Sequence, residues 1–172
     1  KRAPEIVRAI PLPVEPVSAA GQASEPPPPP LDTARVELLQ SELKTNPRNF
    51  EALAELGNIH FDQKNFAEAT NMYKKALDVR PDALNVRTDL GTALFYASRY
   101  DEAIIEFTKS LEANPTNPQT LFNLGVVLLH GKNDPQGALE YWEKLIAFNP
   151  NYPQATFVKD QIRLLKEQLK KP

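Results

Sequence analysis

Residues able to carry covalent or metal chemistry are few in this chain of 172 residues, and badly spaced for it. There is no cysteine, which removes disulfides, thiolate nucleophiles and cysteine-ligated metals together. The two histidines, His60 and His130, lie far apart in sequence and give no metal motif. No Gly-x-Ser-x-Gly elbow, phosphate-binding Gly-Lys-Ser/Thr loop or His-Glu-x-x-His helix is present. Gly131-Lys132 is followed by Asn133 and Asp134, lacks the hydroxyl that would hold magnesium, and reads as a turn. The expectation is no catalytic residue, no cofactor and no metal. What remains is the chemistry of recognition, carried by carboxamides, carboxylates and aromatic rings.

Those groups are positioned by a repeat. Gly57, Gly91 and Gly125 are each preceded by leucine and keep one step, while Pro47, Pro81, Pro115 and Pro150 keep nearly the same step. A period in this range marks a repeat architecture. The first segment reads Leu53, Leu56, Gly57, His60, Ala69, Tyr73, Ala76, Pro81, and the second Arg87, Leu90, Gly91, Leu94, Ala103, Phe107, Ser110, Pro115. The third reads Leu121, Leu124, Gly125, Leu128 and then slips by one residue to Ala138, Trp142, Leu145 and Pro150. Its extra residue is expected in the turn from Gly131 to Gly137. Apolar positions three and four apart predict two successive amphipathic helices per unit. Proline after the second helix closes each unit, because it cannot continue the helix and pushes the preceding residue out of the α region. A mid-helix glycine costs about 0.5–1 kcal/mol relative to alanine. Its recurrence predicts close helix approach, with Ala69, Ala103 and Ala138 as the small partners, and His60 and Trp142 as packing residues.

The order of small and large residues over 47–150 resembles the tetratricopeptide repeat, a helix-turn-helix unit of 34 residues. It departs from that pattern at Arg87, at the usual tyrosine (His60, Leu94, Leu128) and in the third turn. The resemblance implies an all-α, right-handed α-solenoid of three units, at about 50–83, 84–117 and 118–152, within a domain spanning 31–172. A leading half-repeat helix is expected from an Asp32 or Thr33 cap to Thr45, with Val36, Leu39 and Leu43 on one face. A capping helix is expected over about 152–170, its charged outer face suited to a solenoid end.

The resemblance further implies a concave groove lined by the first helix of each pair. The positions it selects are Asn58, Phe61 and Asp62 in the first repeat, and Asp89, Thr92, Phe95 and Tyr96 in the second. The third repeat gives Phe122, Asn123, Val126 and a solvated His130, and the last helix gives Phe157. With Glu51 and Glu55 the groove is expected to be acidic at its first repeat and aromatic towards its third. A peptide with basic and apolar residues suits it, its backbone held by Asn58 and Asn123. Members of this family that clamp a chaperone's terminal carboxylate use a lysine and two asparagines. Ala54, Asn58 and Asp89 stand at those positions, so a terminal carboxylate is expected to be repelled.

A net charge of -2 gives no electrostatic case for nucleic acid or an acidic membrane. No apolar run is long enough to span a bilayer. Nine of the seventeen prolines lie in residues 1–30, which predicts an extended, proline-rich arm or linker. The chain begins with Lys1 instead of methionine, which suggests that an upstream signal or anchor has been removed and that the protein is exported. The run from Gly137 to Pro150, the following Ile162 and Leu165, and the opening Leu39 to Asn49 look like bacterial c-type cytochrome assembly factors. That resemblance implies a periplasmic assembly role, with a cytoplasmic location as the alternative. The leading functional expectation is a non-catalytic scaffold for a peptide or partner protein. The alternative is a structural subunit whose arm docks on a neighbour.

Overall fold

The computed structural model describes residues 32–170, and within them every regular element is helical. The expected arm at 1–30 lies outside the described residues. Helix α1 spans Thr33–Thr45, α2 Phe50–Asp62, α3 Phe66–Val79 and α4 Leu84–Tyr96. They are followed by α5 (Tyr100–Ala113), α6 (Pro118–Val126), α7 (Pro135–Phe148) and α8 (Ala155–Leu169). The described residues divide between Arg99 and Tyr100 into two compact units.

Short polar side chains cap the starts of α1, α2, α6 and α7. Asp32 accepts from the Arg35 N–H at 3.0 Å, Asn49 from Ala52 at 3.2 Å, Asn117 from Thr120 at 3.0 Å and Asp134 from Gly137 at 2.9 Å. Each satisfies an amide that the first turn leaves without an intrahelical partner. Pro118 and Pro135 occupy first-turn positions, where the missing N–H costs nothing. The last helix begins at Ala155, later than its sequence pattern suggests. Pro153 holds Tyr152 out of the α region, and the approach is made through turns in which Tyr152 N–H donates to Asn149 and Ala155 N–H donates to Tyr152.

In residues 32–99, Leu39 of α1 is buried with Ala52 and Leu56 of α2, and Val36, Leu43, Ile59 and Met72 pack against them. The face expected of α1 is therefore the one it buries. In residues 100–170 the core is built on Phe107, Leu121, Leu124, Trp142, Leu145, Val158 and Leu165, all nearly inaccessible. Inside it Ser110 and Thr120, both fully buried, share a hydroxyl hydrogen bond of 3.2 Å, so neither polar group is buried without a partner.

The glycines do mark close approach, but the expected partners are wrong. A Cβ at Gly57 would overlap the Tyr73 ring, and one at Gly125 would overlap the Trp142 ring. The glycine makes room for the large aromatic of the second helix, while Ala69 and Ala138 are simply buried beside it.

The turns correct the reading of the third repeat as well. In the first two, a residue in the left-handed region reverses the chain: Lys64 at φ 59° and Ser98 at φ 60°. The third has Asn133 at φ 55°, one residue beyond the step set by the others. The extra residue is taken up before the turn, in a π-helical stretch Val127–Gly131 that continues α6. Lys132 N–H donates to Val127 at 3.1 Å and Asp134 N–H to Leu128 at 2.8 Å, wider closures than an α-turn makes. Keeping α7 in phase requires the insertion to be absorbed in the backbone ahead of it.

Candidate functional site

In residues 32–99 the groove-register side chains gather at the C-terminal half of α2 and on α4. Tyr73 of α3 passes over Gly57 and its hydroxyl donates to Asn58 Oδ1 at 2.8 Å. The phenol is buried, and that burial, followed by the charges of Asp89 and Asp62, pushes its pKa above the usual range. Tyr73 is thus a fixed donor that orients the Asn58 amide. Asp62 and Asp89 are exposed by area, and neither makes an ion pair or hydrogen bond among the described residues. Crowding by surrounding protein still removes enough hydration from Asp89 to push its carboxyl pKa up to about 6.

Beside these carboxylates lies an aromatic cluster. Phe61 meets Phe66 edge-on at 5.4 Å and Tyr96 at 5.7 Å between centroids, while Phe66 stacks on Tyr96 at 5.0 Å. Phe95 meets Tyr96 at 5.3 Å. The cluster is half-open, with Tyr96 43 % exposed. Phe66 was missed in the sequence because it opens the second helix of its pair, away from the groove positions. Thr92 spends its hydroxyl on the Thr88 carbonyl at 2.9 Å and is partly buried, which leaves it a wall residue.

The expected acidity of the first repeat is smaller than its composition suggests. Glu55 takes a bidentate pair from Arg35 of α1 at 2.5 Å, and this hydrogen bonding holds its carboxyl below the usual range against the opposing effect of burial. Glu51 pairs with Arg80, whose guanidinium also lies 3.6 Å from the centre of the Phe50 ring. Of the acidic register positions Glu51, Glu55, Asp62 and Asp89, the last two make no ion pair among the described residues.

In residues 100–170 the same register positions are mostly closed. Phe122 and Val126 are each 6 % exposed, so both are core residues where the sequence suggests groove residues. Phe122 packs 5.7 Å from the Tyr152 ring, and its carbonyl accepts from Trp142 Nε1 at 3.1 Å. The Tyr152 hydroxyl donates to Gln119 at 3.2 Å and Gln119 donates to Asn123 at 3.0 Å, so Asn123 already holds a side-chain partner. Burial pushes the Tyr152 phenol up to about 12. His130 is not solvated. It lies in the π turn, half-buried, its Nε2 sealed without a partner, and burial lowers its pKa. Phe157 is half-buried on α8. No group of His, Asp and Glu suited to hold a metal ion occurs among the described residues, and no helix there is long and apolar enough to cross a membrane.

Paired helices with a glycine beneath an aromatic ring, a left-handed residue in the turn and a recurring step define an all-α helical-repeat protein. Two family models, both described as tetratricopeptide repeat, match residues 48–116 and 88–156, and the chain belongs to that family. No curated protein sequence matches it. Among solved structures, the chain is similar to MamA at 19 % identity and a TM-score of 0.65, covering 78 % of this chain and 86 % of the other. The first such domain of Spaghetti (RPAP3), bound to the HSP90 peptide SRMEEVD, is 21 % identical at a TM-score of 0.64, covering 71 % and 94 %. A tetratricopeptide repeat protein from Parabacteroides merdae gives 18 % at 0.68, covering 77 % of this chain and 53 % of that one. These likenesses place the fold in the tetratricopeptide solenoid class.

Proposed function

We propose that this protein is a non-catalytic interaction module that binds a peptide or a segment of a partner protein on the face of residues 32–99. The observation that carries this reading is a pair of carboxylates, Asp62 and Asp89, with no ion pair among the described residues, and a half-open aromatic cluster that includes Tyr96 at 43 % exposure. An aromatic surface offers contact area at low entropic cost, and a carboxylate deprived of hydration, as Asp89 is, gains from a cation that restores its electrostatic balance. The ligand class is therefore a segment with a lysine or arginine next to aliphatic residues. Support for peptide recognition comes from the RPAP3 domain of the same fold, solved with a peptide. That peptide, SRMEEVD, is rich in carboxylates, whereas the open face here is itself acidic, so the preference is for the opposite charge.

Titration calorimetry against basic-aliphatic peptides and against SRMEEVD tests this reading. The basic peptides should bind, Tyr96→Ala should weaken them by about tenfold or more with helicity unchanged, and SRMEEVD should not compete. Binding unaffected by Tyr96→Ala and Asp89→Asn together would remove the surface from consideration. Assembly of an apocytochrome outside the cytoplasmic membrane rests on the resemblance of residues 137–150, of Ile162 and Leu165, and of the opening 39–49. Cell fractionation of the native protein and co-purification of its partner are the tests of that finer reading.

A further inference from the structure

We propose that α8 carries a second recognition site, formed by residues other than those of the face in 32–99, which binds a proline-rich segment of a partner protein in the polyproline II conformation. The site is the stripe Gln154, Phe157, Gln161, Leu164 and Gln168, which begins at the N-cap of α8 and lies wholly within residues 100–170.

These positions alternate steps of three and four, so they run along one side of the helix. The three glutamines share one feature. Each turns its side-chain carbonyl oxygen into the protein, sealed from water and without a hydrogen-bond donor. Gln161 is only 5 % exposed, yet the amide nitrogen of none of the three is sealed or engaged in a hydrogen bond. The carboxamides therefore present N–H groups outward and no acceptor. Between them stand Phe157, half-buried, and Leu164, 38 % exposed, which supply apolar surface.

A row of donors with apolar residues between them selects its ligand by elimination. A packed helix has its interior carbonyls engaged in its own backbone bonds and would bury the amides without acceptors. A β-strand repeats its same-side carbonyls every two residues, about 6.4–6.8 Å apart. Seven helical residues instead set successive glutamines about 10.5 Å apart. Polyproline II returns a carbonyl to the same side every three residues, or about 9.3 Å. Over the whole row the mismatch is about 2.4 Å, which long, flexible glutamine side chains can take up. That conformation makes no internal hydrogen bonds, so its carbonyls are available, and proline has no N–H to set against the donors. Proline rings also pack on aromatic and aliphatic surface of the kind Phe157 and Leu164 offer.

An acetylated decaproline peptide, titrated into the full-length protein and followed by backbone and side-chain amide signals, tests the proposal. The NH2 signals of Gln154, Gln161 and Gln168 should shift together, while the amides of Asn58 and Tyr96 stay in place. Gln161→Leu should weaken the peptide about tenfold or more and Leu164→Ala about threefold. Thermal stability should be kept or raised in Gln161→Leu, because the sealed oxygen is gone. A glycine-serine peptide of equal length should bind at least about tenfold more weakly, and equal affinity would overturn the choice of conformation. Tyr96→Ala should leave decaproline binding unchanged, so failure of this site and failure of the face in residues 32–99 are read separately. The proposal is overturned if decaproline moves none of the three glutamine signals, or moves Asn58 and Tyr96 instead. It is overturned as well if the three signals shift on raising the protein concentration alone, since the occupant would then be a second copy. Should Gln161→Leu fail to fold, the titration of the unaltered chain decides by itself.

Discussion

In residues 32–99 the ring of Tyr73 crosses Gly57 and ends on the side chain of Asn58, at an exposed position. In residues 100–170 the ring of Trp142 crosses Gly125 and ends on the main-chain carbonyl of Phe122, inside the core. The device is the same: a large aromatic over a glycine, with its one polar atom anchored on the facing helix. What differs is the depth of the anchor. Tyrosine carries its donor at the tip of the ring, which brings the hydrogen bond out to the exposed Asn58 and fixes its amide there. Indole carries its donor on the flank, so the bond stays in the interior and the face above is closed by Phe122 and Tyr152. The unit with the tyrosine keeps rings and carboxylates at its surface, and the unit with the tryptophan closes the same register positions into its core.

The severest way to break this comparison is to remove the rings that close the second unit. Trp142→Ala and Phe122→Ala should each cost about 3–5 kcal/mol, read by urea unfolding, whereas Tyr96→Ala should cost well under 1 kcal/mol because the ring is already half in water. Equal losses for Phe122→Ala and Tyr96→Ala would erase the distinction between a closed face and an open one. Next come the glycines. Gly57→Ala and Gly125→Ala should each destabilise by about 1–3 kcal/mol through overpacking, and Tyr73→Phe should cost about 0.5–1.5 kcal/mol for the bond to Asn58.

Asp89 sharpens the contrast through pH. Its folded pKa of about 6 lies above the ordinary aspartate value of 3.8, so the folded state holds the proton more tightly than the unfolded chain does. Its contribution to stability is complete below about pH 4 and is lost as pH rises through 6. Asp89→Asn should therefore stabilise the protein more at pH 7 than at pH 4, which thermal melts of the two proteins at both values would reveal. A stabilisation independent of pH would mean that this carboxyl is not deprived of water. A cationic ligand should reverse the sign, its binding strengthening as pH rises through the same window. Smallest of all, Arg35→Ala should leave the melting temperature almost unchanged, since both partners of the Arg35–Glu55 pair are exposed and screened by water.

The fold was legible because it is set by local rules that repeat. Leu53, Leu56 and Gly57 share a face with period 3.6, and Pro81 and Pro115 stop helices wherever they stand. The site was only partly legible, because groove registers are defined along one helix while accessibility is decided by residues from another. Glu55 reads as a free acid until Arg35, twenty residues earlier, is seen beside it. Phe122 reads as an anchor until Tyr152 is found against its ring. Asp62 and Asp89 make no ion pair among the described residues and Tyr96 is 43 % exposed, and nothing in their own sequence surroundings distinguishes them from Phe122 or Val126.

The π turn at Val127–Gly131 bears on how such a chain can change length. One residue inserted into a straight α-helix would rotate everything beyond it by about 100° and turn the buried face of the next helix towards water. Here a single widened turn takes up the surplus, and α7 still places Trp142 over Gly125. An insertion in this place is silent to the core, so natural variation in repeat length has a site where it can accumulate without re-selection of the packing. A search that demanded an unbroken step of 34 would lose the third unit at His130, although its helices still meet as those of the first do.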